Sequence, residues 1–183
     1  AKHCGFERTK SAIMNINGLL FKFPKPIRVF IGAFVIILSV GYYTGLLFVS
    51  ETSTASVDGI EENYLGNESD ENADVMKFKK SERQLLTIIH THILSMSFIF
   101  FLLGILVWLT NLPVKLKLFL TVEPFLSVLL TFGGIYLLWT GVLWFKYIVI
   151  VSGALMTATF TASALIVLYQ LTFPNQNATD FNQ

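Results

Sequence analysis

The stretch that decides the fold is residues 85–110, which read LLTIIHTHILSMSFIFFLLGILVWLT. It contains no Asp, Glu, Lys or Arg. At about 1.5 Å of rise per residue, a helix of this length crosses roughly 30 Å of hydrocarbon. A helix also satisfies its own backbone N–H and C=O groups, which lipid cannot do. The sequence therefore predicts a transmembrane helix here.

Three further apolar runs of similar length accompany this one. The predicted helices cover residues 27–50, 85–110, 116–141 and 143–171. Of the 183 residues, 54% are hydrophobic and only 14% are charged, which is more apolar than expected for a soluble domain of this size. The predicted fold class is an all-α integral membrane protein with four transmembrane helices in a bundle over residues 27–171.

Basic residues in the short connecting segments predict the orientation. Short loops rich in Lys and Arg stay in the cytoplasm. Eight basic residues would lie at one end of the bundle: Lys2, Arg8, Lys10, Lys22, Lys25, Arg28, Lys115 and Lys117. We therefore predict cytoplasmic termini, with a basic N-terminal arm (1–26) and a C-terminal tail (172–183). The predicted location is the plasma (inner) membrane, in a multi-pass protein.

The opposite loop, residues 51–84, is predicted to be an acidic extracytoplasmic segment. Between residues 58 and 74 it holds seven acidic residues and no Lys or Arg. Four basic residues oppose this orientation, but they are outnumbered by the eight at the other end: Lys77, Lys79, Lys80 and Arg83. The acidic residues do not have the ligand spacing of a calcium loop, so a solvated acidic face is the preferred interpretation.

Small residues mark faces where helices can approach closely. In hydrocarbon, association depends on close packing rather than on removing apolar surface from water. The small residues are Gly41 and Gly45 in the first predicted helix, Gly133 and Gly134 in the third, and Ala154, Ala158 and Ala162 in the fourth. We expect these faces to pack, either within the chain or against another subunit.

Two histidines and a methionine in the second predicted helix form the first candidate site. His90 and His92 are two residues apart, so on a regular helix their side chains point about 200° apart and cannot both ligate one ion. Met96 lies four residues beyond His92, and His and Met ligands suit a soft metal or a haem. We hypothesise that His90, His92 and Met96 contact a cofactor, either haem b or a soft metal ion, with both histidines as metal ligands.

A structural role for the histidines is one alternative, and proton or substrate handling is another. Neutral imidazoles inside helix bundles often hydrogen-bond a backbone carbonyl or a tyrosine, and Tyr42, Tyr43 and Tyr136 fall at comparable depth. The remaining histidine, His3, lies at the opposite end of the predicted bundle. A haem with two histidine ligands would therefore need one of them from a partner chain.

Glu123 is the second candidate site. A charged side chain at the centre of a bilayer costs about 2.5–3.5 kcal/mol on insertion scales, so such a residue is a functional hypothesis. Pro124 follows it, leaves the carbonyl of Leu120 without its helical donor and is expected to bend the helix. We predict proton handling by Glu123. A neutral carboxyl that hydrogen-bonds a neighbouring helix is the structural alternative.

The sequence has no soluble-enzyme motif, so no catalytic residue is predicted and enzyme activity of the chain alone is not expected. A net charge of +1 gives no reason to expect nucleic acid. The favoured function is an accessory subunit of a larger membrane complex, specifically a respiratory or other redox assembly. Its predicted partners are the lipid bilayer and other membrane subunits. The alternatives are a small homo-oligomeric channel or proton-coupled transporter, and a purely structural or assembly protein.

Overall fold

The computed structural model describes residues 16–53, 56–68 and 75–173. Its helices are α1 (Leu19–Lys22), α2 (Lys25–Ser53), α3 (Val57–Leu65), α4 (Glu82–Leu109), α5 (Val114–Trp139) and α6 (Phe145–Thr172). Four of these, α2, α4, α5 and α6, are long and apolar enough to cross a membrane. These three ranges contain no strand. The predicted all-α fold with four transmembrane helices is confirmed.

The four long helices overlap the four predicted runs, with ends that differ by a few residues. The start of α4 shows why such differences arise. Ser81 accepts a hydrogen bond from the Gln84 N–H, and the Gln84 side chain accepts one from the Ser81 N–H. This capping box starts the helix in polar sequence, ahead of the apolar run. Most of the predicted arm 1–26 and of the tail 172–183 lies outside the described residues.

Helices α5 and α6 are the most closely packed pair, and α4 packs against both. A Cβ added at Gly134 of α5 would lie 2.9 Å from Cγ2 of Val149 on α6. Nearby, the hydroxyls of Thr131 and Ser152 are 2.7 Å apart and hydrogen-bonded. Close approach at small residues and hydrogen bonds between helices are the forces that hold helices together in lipid. The helices α4, α5 and α6 therefore form a three-helix core.

Helix α2 lies at the periphery of this core and is held by two tyrosines. The Tyr42 ring stacks on Phe160 of α6, with ring centroids 3.9 Å apart. Its hydroxyl lies 3.2 Å from that of Thr157, and the hydroxyl of Tyr43 lies 2.7 Å from that of Thr161. Aromatic stacking and hydroxyl pairs attach α2 to α6.

The small-residue face of α2 does not contribute to this attachment. Cβ atoms added at Gly41 and Gly45 would meet no atom within 4 Å. On α6, Ala154 and Ala158 are also exposed. Among the glycines of the four long helices, Gly134 has the closest neighbour, and that contact lies between α5 and α6.

Cations close the end of the bundle at which α4 and α6 terminate, here called the arm end and comprising residues 16–24 and 110–113. Lys117 is only 2% exposed and donates to the carbonyl of Trp108 at 2.7 Å and to Asn17 Oδ1 at 2.6 Å. Arg28 donates through Nε to the carbonyl of Leu171 at 3.0 Å. Both carbonyls belong to the last turn of a helix, where partial negative charge accumulates. Each cation therefore stabilises a helix C terminus.

The opposite end of the bundle, here called the loop end, comprises α3 and residues 75–81. Lys146 of α6 pairs with Glu61 at 2.7 Å and with Asp58 at 3.4 Å, and Lys77 lies 3.7 Å from Glu62. Lys146 and Lys77 are thus compensated by acidic residues beside them. The predicted orientation, in which the arm end is cytoplasmic, stays a prediction.

Tyr64 of α3 makes the loop end sensitive to alkaline pH. Burial raises the pKa of Tyr64 above its ordinary value of 10.0. Its carbonyl accepts from the Lys80 N–H at 3.2 Å, so α3 and residues 75–81 are joined at this residue. The docked phenol stays neutral at a pH where an undocked one ionises. Docking is therefore unaffected below pH 10.0 and weakens as the pH rises above it.

A spin label at position 63 would measure this effect. We expect its mobility to increase above pH 10.0 in the native chain, and much less in Tyr64→Phe, which keeps the ring and removes the ionising group. An equal increase in Tyr64→Phe would assign the change to other groups, such as the lysines of the loop end.

Candidate functional site

Helix α4 places the two candidate histidines in different surroundings. His92 is half-buried toward α5, where its ring centroid lies 5.0 Å from that of Phe132. Its Nδ1 lies 2.8 Å from the carbonyl oxygen of Ile88, one turn back in the same helix. His90 is exposed on the outside of the bundle. It borders a shallow surface groove that is also lined by Glu82, Arg83, Leu86 and Thr87.

Met96 is half-buried and packs against the hydrophobic core. Met156 of α6 is buried in that core. In the part of the chain that the structure describes, no group of three or more His, Cys, Asp and Glu side chains could hold a metal ion.

The outward face of α4 is mixed toward the loop end, where the exposed leucines Leu86 and Leu94 lie among polar residues, and apolar toward the arm end. In the half toward the loop end the exposed residues include Thr87, His90, Thr91 and Ser95, here called the polar α4 face. In the half toward the arm end they include Phe98, Phe101 and Ile105. The polar residues recur at intervals of three to four, which places them on one side of a helix. Of these four residues, only His90 was predicted from the sequence to be functional.

Hydrogen bonding within α4 satisfies two of the hydroxyls on this face. Thr87 donates to the carbonyl of Arg83, and Ser95 donates to that of Thr91, each at 2.8 Å. Over the described ranges, no hydrogen bond to the His90 ring is found. The imidazole and the Thr91 hydroxyl are thus the groups of the polar α4 face for which no hydrogen bond is found among the described residues.

Glu123 of α5 lies inside the bundle and is 9% exposed. The Ser127 hydroxyl donates to its Oε1 atom. Its Oε2 atom is buried and has no hydrogen-bond partner within the described residues. Nine residues separate Glu123 from Val114, which places it roughly 13 Å along α5 from the arm end at 1.5 Å per residue. The helix continues through Pro124 to Trp139.

Buried hydroxyls extend from Glu123 along the contact between α5 and α6. On α5, Ser127 and Thr131 follow it at intervals of four residues and are 2% and 8% exposed. On α6 the buried hydroxyl residues are Ser152, Thr159 and Ser163. We call these six residues, including Glu123, the polar seam. Glu123 was predicted from the sequence, but the hydroxyl residues were not. The four-residue spacing of Ser127 and Thr131 from Glu123 on α5 could have indicated the hydroxyls of that helix.

Comparison with known proteins gives a match to a protein family. A family model described as Aq_1264_TM, a transmembrane helical domain, matches residues 54–178, which is more than half of the chain. The matched residues include α3 and the three-helix core of α4, α5 and α6, and begin after the peripheral helix α2. No curated protein and no solved structure matches the chain.

Proposed function

The chain belongs to the Aq_1264_TM family of transmembrane helical domains, and from this premise we propose that it is an accessory subunit of a larger membrane complex. Family membership and the four apolar helices make it a multi-pass membrane protein, with the lipid bilayer as its surroundings. The proposal names what lies against one part of that surface. The plasma (inner) membrane is the proposed location.

The observation that carries the proposal is the polar α4 face. Side chains that point into lipid are normally apolar, and polar or ionisable groups within transmembrane helices normally face other protein or a water-filled space. His90 is exposed on the outside of this bundle, on the same face as three hydroxyl residues. A protein partner would give the imidazole a hydrogen bond and remove this face from lipid.

We propose a transmembrane helix of a different subunit as the partner. The polar α4 face is confined to the half of α4 nearest the loop end. The apolar half, toward the arm end, is suited to contact with lipid or with apolar side chains. A partner helix that matches this surface would carry a hydrogen-bonding group at the depth of His90 and apolar side chains at the depth of the apolar half. A hydrogen bond between membrane helices contributes about 0.6–2 kcal/mol, enough to set the register of such a contact.

A respiratory or other redox assembly is the specific form of the proposal. There, His90 would supply one ligand to a haem b or soft metal ion shared with the partner, because it is the histidine of α4 that faces outward. His92 and Met96 would line the same helix as supporting groups. The Nδ1 contact of His92 with its own backbone equally supports the structural role considered as one alternative.

Two other functions are alternatives. The buried carboxyl of Glu123 favours a homo-oligomeric channel or proton-coupled transporter. A structural or assembly protein is favoured by the hydroxyl and aromatic contacts that already hold the helices together.

Site-specific photocrosslinking in the native membrane tests the partner. We expect a crosslinker at position 90 to give a stoichiometric adduct with a different membrane protein. A crosslinker at position 105, exposed on the apolar half of the same face, is the matched control and should react chiefly with lipid. In His90→Leu we expect co-purification of the partner to be lost.

Two outcomes would contradict the accessory-subunit proposal. An adduct between two copies of this chain would favour the homo-oligomeric channel or transporter. The second outcome is equal reaction with lipid at positions 90 and 105, together with no effect of His90→Leu on co-purification. It would favour the purely structural or assembly protein.

An optical spectrum of the intact complex tests the redox form separately. We expect a sharp band on reduction that is lost in His90→Ala, because substitution removes the outward-facing ligand. A featureless spectrum from a complex that still contains the partner would contradict the redox form and leave the accessory-subunit proposal standing.

A further inference from the structure

The Oε2 atom of Glu123 differs in its hydrogen bonding from the other buried polar side-chain atoms of the bundle. Among the described residues it is the buried side-chain oxygen or nitrogen for which no hydrogen bond is found. The first oxygen accepts a hydrogen bond from Ser127. Buried polar atoms are nearly always hydrogen-bonded, so an orphaned carboxyl oxygen points to a ligand bound there.

The groups around Glu123 limit which ligand this can be. From α2 the phenol of Tyr42 interacts with it electrostatically. On α5 itself Ser127 is its hydrogen-bond donor. The ionisable groups of α4 nearest in depth are His90 and His92, which respectively lie on the outside of the bundle and against Phe132. On α6 the groups of the polar seam are hydroxyls, and its lysine, Lys146, pairs at the loop end with Glu61.

The described residues thus offer Glu123 no ion pair with a cation. An ionised carboxylate buried without a counter-ion is very costly, whereas a neutral carboxylic acid is not. A divalent cation would require several more oxygen or nitrogen ligands, and no cluster of three acidic, His or Cys side chains is found among these residues. A proton needs no further side-chain ligand, and its binding removes the uncompensated charge of the buried carboxylate.

We propose that Glu123 is a proton-binding site within the membrane, which takes up a proton on its carboxyl and returns it to water by way of Ser127. In the protonated state the proton is on Oε2, while Oε1 accepts from Ser127. On release the carboxyl rotates so that Oε2–H donates to the Ser127 oxygen, Ser127 gives its own hydroxyl proton to a water molecule, and no electron is transferred. The site goes beyond the accessory-subunit proposal and requires no contact at His90.

Two features of the fold make exchange with water feasible. Ser127 and Thr131 continue the polar seam from Glu123 toward the loop end, and a hydroxyl can both donate and accept a hydrogen bond. Helix α2 is attached at the periphery of the three-helix core through Tyr42, so it can move without unfolding that core.

Infrared spectroscopy of the full chain in lipid nanodiscs tests the proposal directly, because a protonated carboxyl has its own C=O stretching band. At neutral pH we expect such a band that shifts on transfer to D2O and disappears as the pH is raised. It should be lost in Glu123→Gln. The matched control, Glu82→Gln, changes an exposed acidic residue at the start of α4 and should leave the band unchanged.

Ser127→Ala provides a second variant that does not depend on folding of Glu123→Gln. Loss of the Ser127 hydrogen bond should move the C=O band to higher frequency and slow its exchange in D2O. A native chain with no band at neutral pH would overturn the proposal, because Glu123 would then be ionised. A band that neither titrates nor shifts in D2O would also overturn it, because the carboxyl would then be a permanently neutral structural group. Loss of the band on addition of Na+ at constant pH would assign the site to a metal cation instead.

Discussion

Replacing Phe160 with alanine is expected to release α2 from the three-helix core. Phe160 is completely buried and its ring stacks on Tyr42 at 3.9 Å, with Phe100 of α4 at 6.2 Å on its edge. It therefore joins three of the four transmembrane helices. Phe→Ala substitutions in cores cost about 3–5 kcal/mol. We expect about 3 kcal/mol here, because lipid removes the water-transfer part of that cost and leaves the lost packing contacts and the cavity.

Unfolding in mixed detergent, followed by circular dichroism and by the spin-label mobility of α2, measures both effects. The matched control is Phe98→Ala, which removes the same ring from a position on α4 that is 64% exposed. Phe98→Ala should change the free energy of unfolding little and leave α2 immobile. Equal effects of the two substitutions would mean that the stack on Tyr42 does not hold α2.

Gly134→Leu is expected to separate α5 from α6. A side chain at this position starts with a Cβ only 2.9 Å from Val149 Cγ2, and valine has no long flexible end that could move aside. Overpacking a well-packed site costs about 1–3 kcal/mol, and occasionally more when helices must shift. Separation of the helices should also break the Thr131–Ser152 hydrogen bond, which lies less than one turn away on α5.

The adjacent glycine supplies the control for this substitution. A Cβ at Gly133 would meet no atom within 4 Å, so Gly133→Leu adds the same side chain into open space. We expect Gly133→Leu to unfold as the native chain does, and Gly134→Leu to unfold at a clearly lower denaturant concentration. If both glycines tolerate leucine, the contact between α5 and α6 is looser than the structure has it.

The two polar features of the bundle lie on different sides and have different consequences. The polar α4 face points outward and is supported as a partner surface by its exposure. Glu123 points inward, and its orphaned oxygen supports a proton site. The polar α4 face belongs to α4, whereas Glu123 belongs to α5. Substitution of His90 should therefore change partner binding and leave the carboxyl C=O band unchanged. Substitution of Glu123 should remove that band and leave partner binding unchanged.

Part of the candidate site was readable from the sequence. The spacing of His90 and His92 predicted that the two rings would not meet, and they lie in different surroundings. Glu123 was identifiable because an acidic residue inside an apolar run is rare. Its orphaned oxygen and the proximity of Tyr42 were not identifiable, because they depend on how α2, α5 and α6 are placed around one another.

The basic residues show a similar division. Their positions relative to the predicted helices were enough to place Lys117 and Arg28 at one end of the bundle. Only the structure shows that their side chains cap the ends of α4 and α6, with Lys117 almost completely buried. A lysine in a short loop ordinarily remains in water. Burial of this one depends on the Trp108 carbonyl and on Asn17, which is distant in sequence.

The sequence by itself determined the number, length and approximate limits of the transmembrane helices. These follow from the hydropathy of each segment and from the thickness of the lipid, so no contact between segments is needed to predict them. Only the tertiary structure decided which side of each helix faces a neighbour. In a water-soluble bundle the apolar side identifies the core, but lipid is as apolar as a protein core, so the apolar residues of these helices do not mark the buried side. Small differences in packing then set the rotation of each helix, and with it the polar seam, the position of α2 and the exposure of His90.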